Sequence, residues 1–149
     1  MQEHTTIPFP HPQLTAEDPF TEVLRQGAGT KLRLMDIHAE ATSEKIAMGW
    51  YLDGRCSFVF GTHTHVPTAD ARLFPGGTAF VADLGMVGPR DSVIGMDKEA
   101  SLQRFLTGVP YRFKVAEGVV QFNSVMARID ALSGMATAIE RLDREVELD

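Results

Sequence analysis

The sequence predicts an α/β fold whose later part turns into an antiparallel β tail. Up to about residue 108, short apolar runs of strand length alternate with stretches of helical spacing, the pattern of strand–helix–strand units. Beyond it the runs keep strand length but lose the helical stretches between them, which favours hairpins over crossovers.

The elements follow in chain order. Residues 1–17 carry Pro8, Pro10 and Pro12 among polar residues. Proline disfavours helix interiors and central strands, so this stretch reads as an extended N-terminal arm, with the domain proper over 18–149. Asp18 before Pro19 has the form of an N-cap with proline at the first helical position, opening a short helix that stops by Gly27 or Gly29. Lys31–His38 is partly alternating and of strand length. Thr42 and Ser43 can cap the next helix, where Ile46, Ala47, Trp50 and Tyr51 fall at helical spacing. Cys56–Phe60 is a second strand, stopped at Gly61. After a turn-rich connection at 74–77, Thr78–Ala82 is a third strand. Asp83–Asp91 reads as a glycine-rich loop, followed by a helix from near Asp97 to Gly108. Tyr111–Ala116, Val119–Ile129 and Ala136–Leu142 read as strands, with Ser133 and Gly134 in a hairpin turn.

A chain of 149 residues and 16.4 kDa has the size of one domain and can bury a core without disulfides. Its 44% hydrophobic and 23% charged residues are those of an ordinary globular protein. The net charge of -6 and pI near 5.3 exclude a large basic footprint for duplex nucleic acid or an anionic membrane. A small phosphorylated substrate stays open, because a metal ion supplies positive charge locally. The lone Cys56 permits no internal disulfide, so a reducing compartment fits. The first residues have neither the basic nor the apolar region of a signal peptide, and no apolar run reaches the roughly 20 residues that span a bilayer. The expected location is the cytoplasm.

Two histidines, His63 and His65, stand just past the end of the second apolar run. Neutral imidazole suits iron, zinc, manganese or copper, and two rings one residue apart can reach one metal or two adjacent ones. A bare His-x-His is also a common surface feature. His38 strengthens the metal reading, because parallel strands joined by a crossover helix bring both C-terminal ends, and their histidines, to one edge of the sheet.

Four segments in order then resemble the YmdB-type branch of the calcineurin-like metallophosphoesterases: DIHAEATSEK at 36–45, GTHTHV at 61–66, DLGMVGP at 83–89 and SVIGMD at 92–97. The resemblance implies the C-terminal half of a metallophosphoesterase α/β/β/α sandwich. It implies two divalent or trivalent transition-metal ions, iron or manganese, that clamp the attacking and leaving oxygens of an in-line displacement. The implied substrates are phosphodiesters such as 2',3'-cyclic nucleotides. Residue by residue, His38 and His63 match ligands of one metal and His65 a ligand of the other, with Glu40 outside the ligand set.

The first half of this family supplies an early Asp, a bridging Glu followed by Asn, and a Gly-Asn-His motif, and this chain has none of them. Its one asparagine, Asn123, is in a late strand and cannot stand in. His4 and His11 lie in the arm with no strand to aim them. Asp70 and Asp83 are explained by a turn and a strand end. Arg90 is a weak candidate for a substrate phosphate. Gly85, Gly88 and Gly95 either admit phosphate or simply make turns. Met48 and Met96 read as packing, and Cys56 as a small buried hydrophobe. The reading is therefore a partial metallophosphoesterase domain, and the alternative is a non-catalytic metal-binding or interaction module. Either way, a sheet lacking its neighbours exposes an edge and apolar surface, which predicts homo-oligomers or association with a missing N-terminal half.

Overall fold

The structure, a computed structural model, describes residues 24–25, 29–112 and 114–147. The arm at 1–17, with His4 and His11, lies outside the described residues. So does most of the helix expected from Asp18, of which Leu24 and Arg25 are described and helical.

Three parallel strands form the centre: β1 (Leu34–His38), β2 (Phe58–Thr62) and β4 (Ala79–Val81), with the short β3 (Arg72–Leu73) antiparallel on β4. The order β1-β2-β4-β3 leaves β1 at an edge. Helix α1 (Thr42–Tyr51) crosses from β1 to β2, so both strands end on the same side, with His38 paired to Thr62. The antiparallel remainder comprises β5 (Val87–Pro89), β6 (Val120–Phe122) and β9 (Arg144–Val146) in one sheet, and β7 (Val125–Ile129) with β8 (Ala136–Arg141) in another. Strand β8 packs on β3 and β4. Helix α2 (Lys98–Thr107) is capped by Asp97, whose carboxylate accepts from the Ala100 N–H at 2.8 Å, and ends at Gly108 with φ 69°. No helix among the described residues is long and apolar enough to cross a membrane.

Burial explains where the centre sits. All three residues of β4 are buried, as a strand covered on both faces requires. Phe80 stacks on Phe74 with centroids 4.8 Å apart, and Phe74 stacks on Trp50 at 4.2 Å. Leu24, Met48, Leu52, Cys56, Val59 and Ala82 complete this core. Helix α1 comes unusually close to the sheet, since a Cβ on Gly49 would stand 2.5 Å from the Phe80 ring. A mid-helix glycine costs roughly 1 kcal/mol relative to alanine. Here the close aromatic packing offsets that cost.

The structure corrects several expectations. Ala41, not Thr42 or Ser43, is the N-cap of α1, and no side chain caps it, because β1 runs to His38 and only three residues separate it from the helix. The buried face of α1 is Lys45, Met48 and Gly49, whereas Ala47, Trp50 and Tyr51 are exposed and Ile46 is half-buried. Hydropathy misassigned this face because a lysine with a buried partner and a glycine under a phenylalanine both belong to it. Strand β2 runs past Phe60 and Gly61 to Thr62. The glycine-rich loop contains β5, which pairs with β6. The described residues of 111–116 form no strand, and their one ladder contact is the bridge from Val115 to Met96. The run Val119–Ile129 splits into β6 and β7 because the chain changes partner at Asn123 and Ser124: the Asn123 N–H donates to the Met86 carbonyl next to β5, while the Ser124 carbonyl accepts from the Leu142 N–H next to β8.

Candidate metal centre

His38 is the last residue of β1, and His63 follows directly on the end of β2. Their rings meet edge to face with centroids 4.8 Å apart, and His38 Nε2 lies 3.0 Å from His63 Nδ1. Hydrogen bonds at the far side of each ring decide what those two nitrogens carry. The Thr62 hydroxyl donates its one proton to Asp36 Oδ1 at 2.7 Å, so it must accept from His38 Nδ1 at 3.0 Å. His63 Nε2 lies 2.9 Å from Glu40 Oε2, and an ionised carboxylate can only accept, so that nitrogen carries its proton. Both facing nitrogens are then left with lone pairs. With both rings neutral, two lone pairs at 3.0 Å repel unless a cation lies between them, whereas a proton on either nitrogen makes the contact a hydrogen bond.

This donor set fits a cation. Two nitrogens each about 2.1 Å from a common ion stand about 3 Å apart when they subtend a right angle. The outward N–H groups held by a carboxylate and by a Thr–Asp pair are the usual outer support of metal-bound histidines. Glu40 is exposed, so its contact with His63 orients the ring and adds little stability.

His65 is held separately. Its Nδ1 lies 3.0 Å from the carbonyl oxygen of Ile94, which can only accept, so Nε2 carries the lone pair. All three histidines line one cleft of about 440 Å³, whose other wall includes Gly85, Met86, Gly88, Ile94, Gly95 and Met96. Among the described residues, no group of three or more His, Cys, Asp or Glu side chains converges as a complete metal site. What is assembled is a pair, with a third imidazole on the same cleft.

The loop that carries His63 and His65 is strained. Both have positive φ, 107° and 65°, as does Ile94 at 46°, and such values are uncommon outside glycine. Between the histidines, Thr64 is tied down by the fully buried Asp83: Oδ2 accepts from the Thr64 N–H at 3.1 Å and from its hydroxyl at 2.7 Å. The same oxygen accepts from Lys45 Nζ at 2.8 Å, and that ammonium also donates to the Thr62 carbonyl at 3.1 Å. Oδ1 accepts from the Gly85 N–H at 2.9 Å. Burial pushes the Asp83 carboxyl upward, but the Lys45 ammonium and the Gly85 and Thr64 donors outweigh it and hold the carboxyl below the usual range. Gly61 makes room for this arrangement, since a Cβ there would collide with the Ala82 carbonyl and the Lys45 stem.

The other candidates have structural places. Asp70 accepts from the Ala82 N–H at 3.1 Å. Asn123 accepts from the Met86 N–H at 3.1 Å, fixing one wall of the cleft. Arg90 pairs with Asp91 and with Glu145, at 3.1 and 2.8 Å. Gly85, Gly88 and Gly95 line the cleft, as does Met96, which had read as packing, while Met48 is in the core. Cys56 is buried, and burial raises its thiol pKa, so it is an inert core residue. Sequence reasoning missed Lys45, Asp36, Thr62 and Thr64. The helical spacing of Lys45 from Met48 and Leu52 was the one available signal for the first.

Most of the chain is similar to known proteins. Residues 6–142 match the family described as "YmdB-like protein". The chain is 48% identical over 135 residues to the "2',3'-cyclic-nucleotide 2'-phosphodiesterase" of Bacillus subtilis, covering 91% of this chain and 50% of that protein. A crystal structure of a "novel phosphatase" from Mycoplasma pneumoniae superposes with a TM-score of 0.79 at 35% identity, over 97% of this chain and 51% of that one. A hypothetical protein from Thermus thermophilus gives 0.77 at 44% identity, over 86% and 51%. The chain thus spans about half the length of the relatives it matches.

Proposed function

This chain belongs to the YmdB-like protein family, and from that membership we propose that it forms the histidine-bearing half of a metal-dependent phosphodiesterase, with residues 18–149 as a partial metallophosphoesterase domain. The observation that carries the reading is the pair of lone-pair nitrogens, His38 Nε2 and His63 Nδ1, facing each other at 3.0 Å with their opposite nitrogens both engaged. His38 and His63 hold one cation through these atoms, and His65 holds the second through Nε2. Iron and manganese are the ions the family resemblance implies. When bound, such ions supply Lewis-acid polarisation of a phosphoester and activation of water.

The chain's own residues do the positioning. Asp36 through Thr62, Glu40 directly and the Ile94 carbonyl keep the outward ring nitrogens protonated, so the inward ones remain free to bind. The cleft beside the histidines, with Met86, Ile94 and Met96 on its far wall, is large enough for a small phosphodiester, and 2',3'-cyclic nucleotides are the substrates we assign. The buried thiol of Cys56 suits a reducing, cytoplasmic setting.

A second reading has its own support. The described residues bring together a pair of imidazoles rather than three or more ligands, which favours a half-site completed by a second polypeptide or by the rest of a longer chain. Among the described residues, the edge of β1 is unpaired and Leu34, Leu102, Phe105 and Leu106 are exposed, and these offer surface for that association.

The test is manganese or iron binding and hydrolysis of bis-p-nitrophenyl phosphate and 2',3'-cyclic AMP by the purified chain, alone and mixed with the N-terminal half of a relative. We expect binding that His38→Ala and His63→Ala abolish, and turnover that appears or rises on mixing. Binding unchanged in both variants overturns the metal assignment. Two tightly held ions per isolated chain would instead contradict the half-site reading.

A further inference from the structure

The loop bearing His63 and His65 departs from the conformation its own residues favour. Non-glycine residues with positive φ persist where surrounding structure over-determines them, and here two occur on either side of Thr64. What over-determines this loop is buried. Thr64 gives both of its donors to Asp83 Oδ2, at 3.1 Å from the backbone and 2.7 Å from the hydroxyl. Asp83 is fully buried, and its Oδ2 is held in turn by Lys45 at 2.8 Å. Lys45 also ties the carbonyl of Thr62, the last residue of β2 before the loop, at 3.1 Å. One buried ion pair therefore reaches helix α1, the end of β2, the middle of the His-x-His loop and the Gly85 turn.

A buried ion pair is weak evidence for stability, because a well-packed apolar pair of similar volume often serves as well. Its connections here point to a positional task. Both partners are buried, and the four donors around the carboxylate come from Lys45, Thr64 twice and Gly85. Two of them, both from Thr64, fix the chain between the histidines, and Lys45 also ties the residue before His63 through its bond to the Thr62 carbonyl. No buried side-chain nitrogen or oxygen among the described residues lacks a partner, so the network is complete as it stands.

We propose that Lys45 and Asp83, acting through Thr64, are positioning residues that hold His63 and His65 in left-handed backbone so that their free ring nitrogens face the cleft. The inference rests on the assignment of those histidines as ligands, and it adds three residues that touch neither substrate nor cation. The hydroxyl of Thr64 is the part that can be removed without unpairing a buried charge, since Lys45 and the Gly85 N–H remain on Asp83.

The experiment compares the wild-type chain with Thr64→Val and Thr64→Ser by two readouts. The first is the tautomer of His63 and His65 in the metal-free protein, read by long-range proton–nitrogen NMR of the rings. In the wild type we expect His63 protonated at Nε2 and His65 at Nδ1. In Thr64→Val we expect both patterns to average, and in Thr64→Ser to return. The second is binding of manganese alone, expected to weaken about tenfold in Thr64→Val, as for loss of an outer support of a ligand, and to recover in Thr64→Ser. Unchanged thermal stability of the metal-free Thr64→Val chain separates a positional from a merely structural effect. Wild-type ring patterns retained in Thr64→Val overturn the proposal, as does equal manganese affinity. A wild-type chain that binds no manganese defeats the metal assignment instead, and the ring patterns still decide the positioning claim.

Discussion

His38 Nε2 and His63 Nδ1 stand 3.0 Å apart at the ends of two adjacent parallel strands, each with its other ring nitrogen already committed. The approach is a product of register. Pairing His38 with Thr62 sets the two ends level, and the loop then turns His63 back toward β1.

Glu40 tests the outer support of this pair. Glu40→Ala frees His63 Nε2 and lets the ring choose either tautomer, so manganese affinity should fall by about tenfold. Because Glu40 is exposed, the melting temperature should stay within about a degree or two, as for other surface substitutions. Calorimetric titration checks the first part and thermal denaturation the second.

The buried pair predicts an asymmetry in stability. Lys45→Met leaves the Asp83 carboxylate buried without its ammonium and should cost about 3–5 kcal/mol, whereas Lys45→Met combined with Asp83→Leu should recover part of it. Urea denaturation of the two variants measures the difference. A double variant no more stable than the single one would count against the charge explanation.

Acid should act through the same carboxyl. The Asp83 pKa is depressed in the folded state, so the folded chain binds that proton more weakly than the unfolded chain does. Its contribution is fully present above its ordinary value, about 4, and is lost as pH falls through the lower folded value. Asp91, Asp130 and Asp143 shift in the same direction, so the informative quantity is a difference. Between about pH 5 and 2, Asp83→Asn should lose less stability than wild type.

Close packing gives a further prediction. Gly49→Ala puts a methyl 2.5 Å from the Phe80 ring, and the stacked Phe74 behind it limits retreat. The expected loss is about 1–3 kcal/mol, despite the gain in helix propensity. A more stable Gly49→Ala chain in urea would show that α1 can move off the sheet.

Helix α2 exposes Leu102, Phe105 and Leu106 at helical spacing, with Phe105 82% exposed. Such a face promotes association. Phe105→Ser with Leu106→Gln should lower the apparent mass of any oligomer in sedimentation and reduce dye binding, leaving manganese binding unchanged.

Local signals along the chain were enough for the α/β class, the two strand ends that carry histidines, the capped helix from Asp97 to Gly108 and the family. Each is written within a few neighbouring residues: strand-length apolar runs, a cap residue three positions before its N–H partner, and motifs in order. The buried face of α1 is different in kind, because the partner of Lys45 lies 38 residues away and hydropathy counts lysine as outward. Packing likewise made Val87–Pro89 a paired strand and left the described residues of 111–116 without one, since a short strand exists only where a neighbour supplies its ladder. Which nitrogen of each histidine is free also came from three dimensions alone. Ring orientation depends on Asp36, Glu40, Thr62 and the Ile94 carbonyl, groups brought to the imidazoles by register and loop strain, and no periodicity in the chain records where they fall.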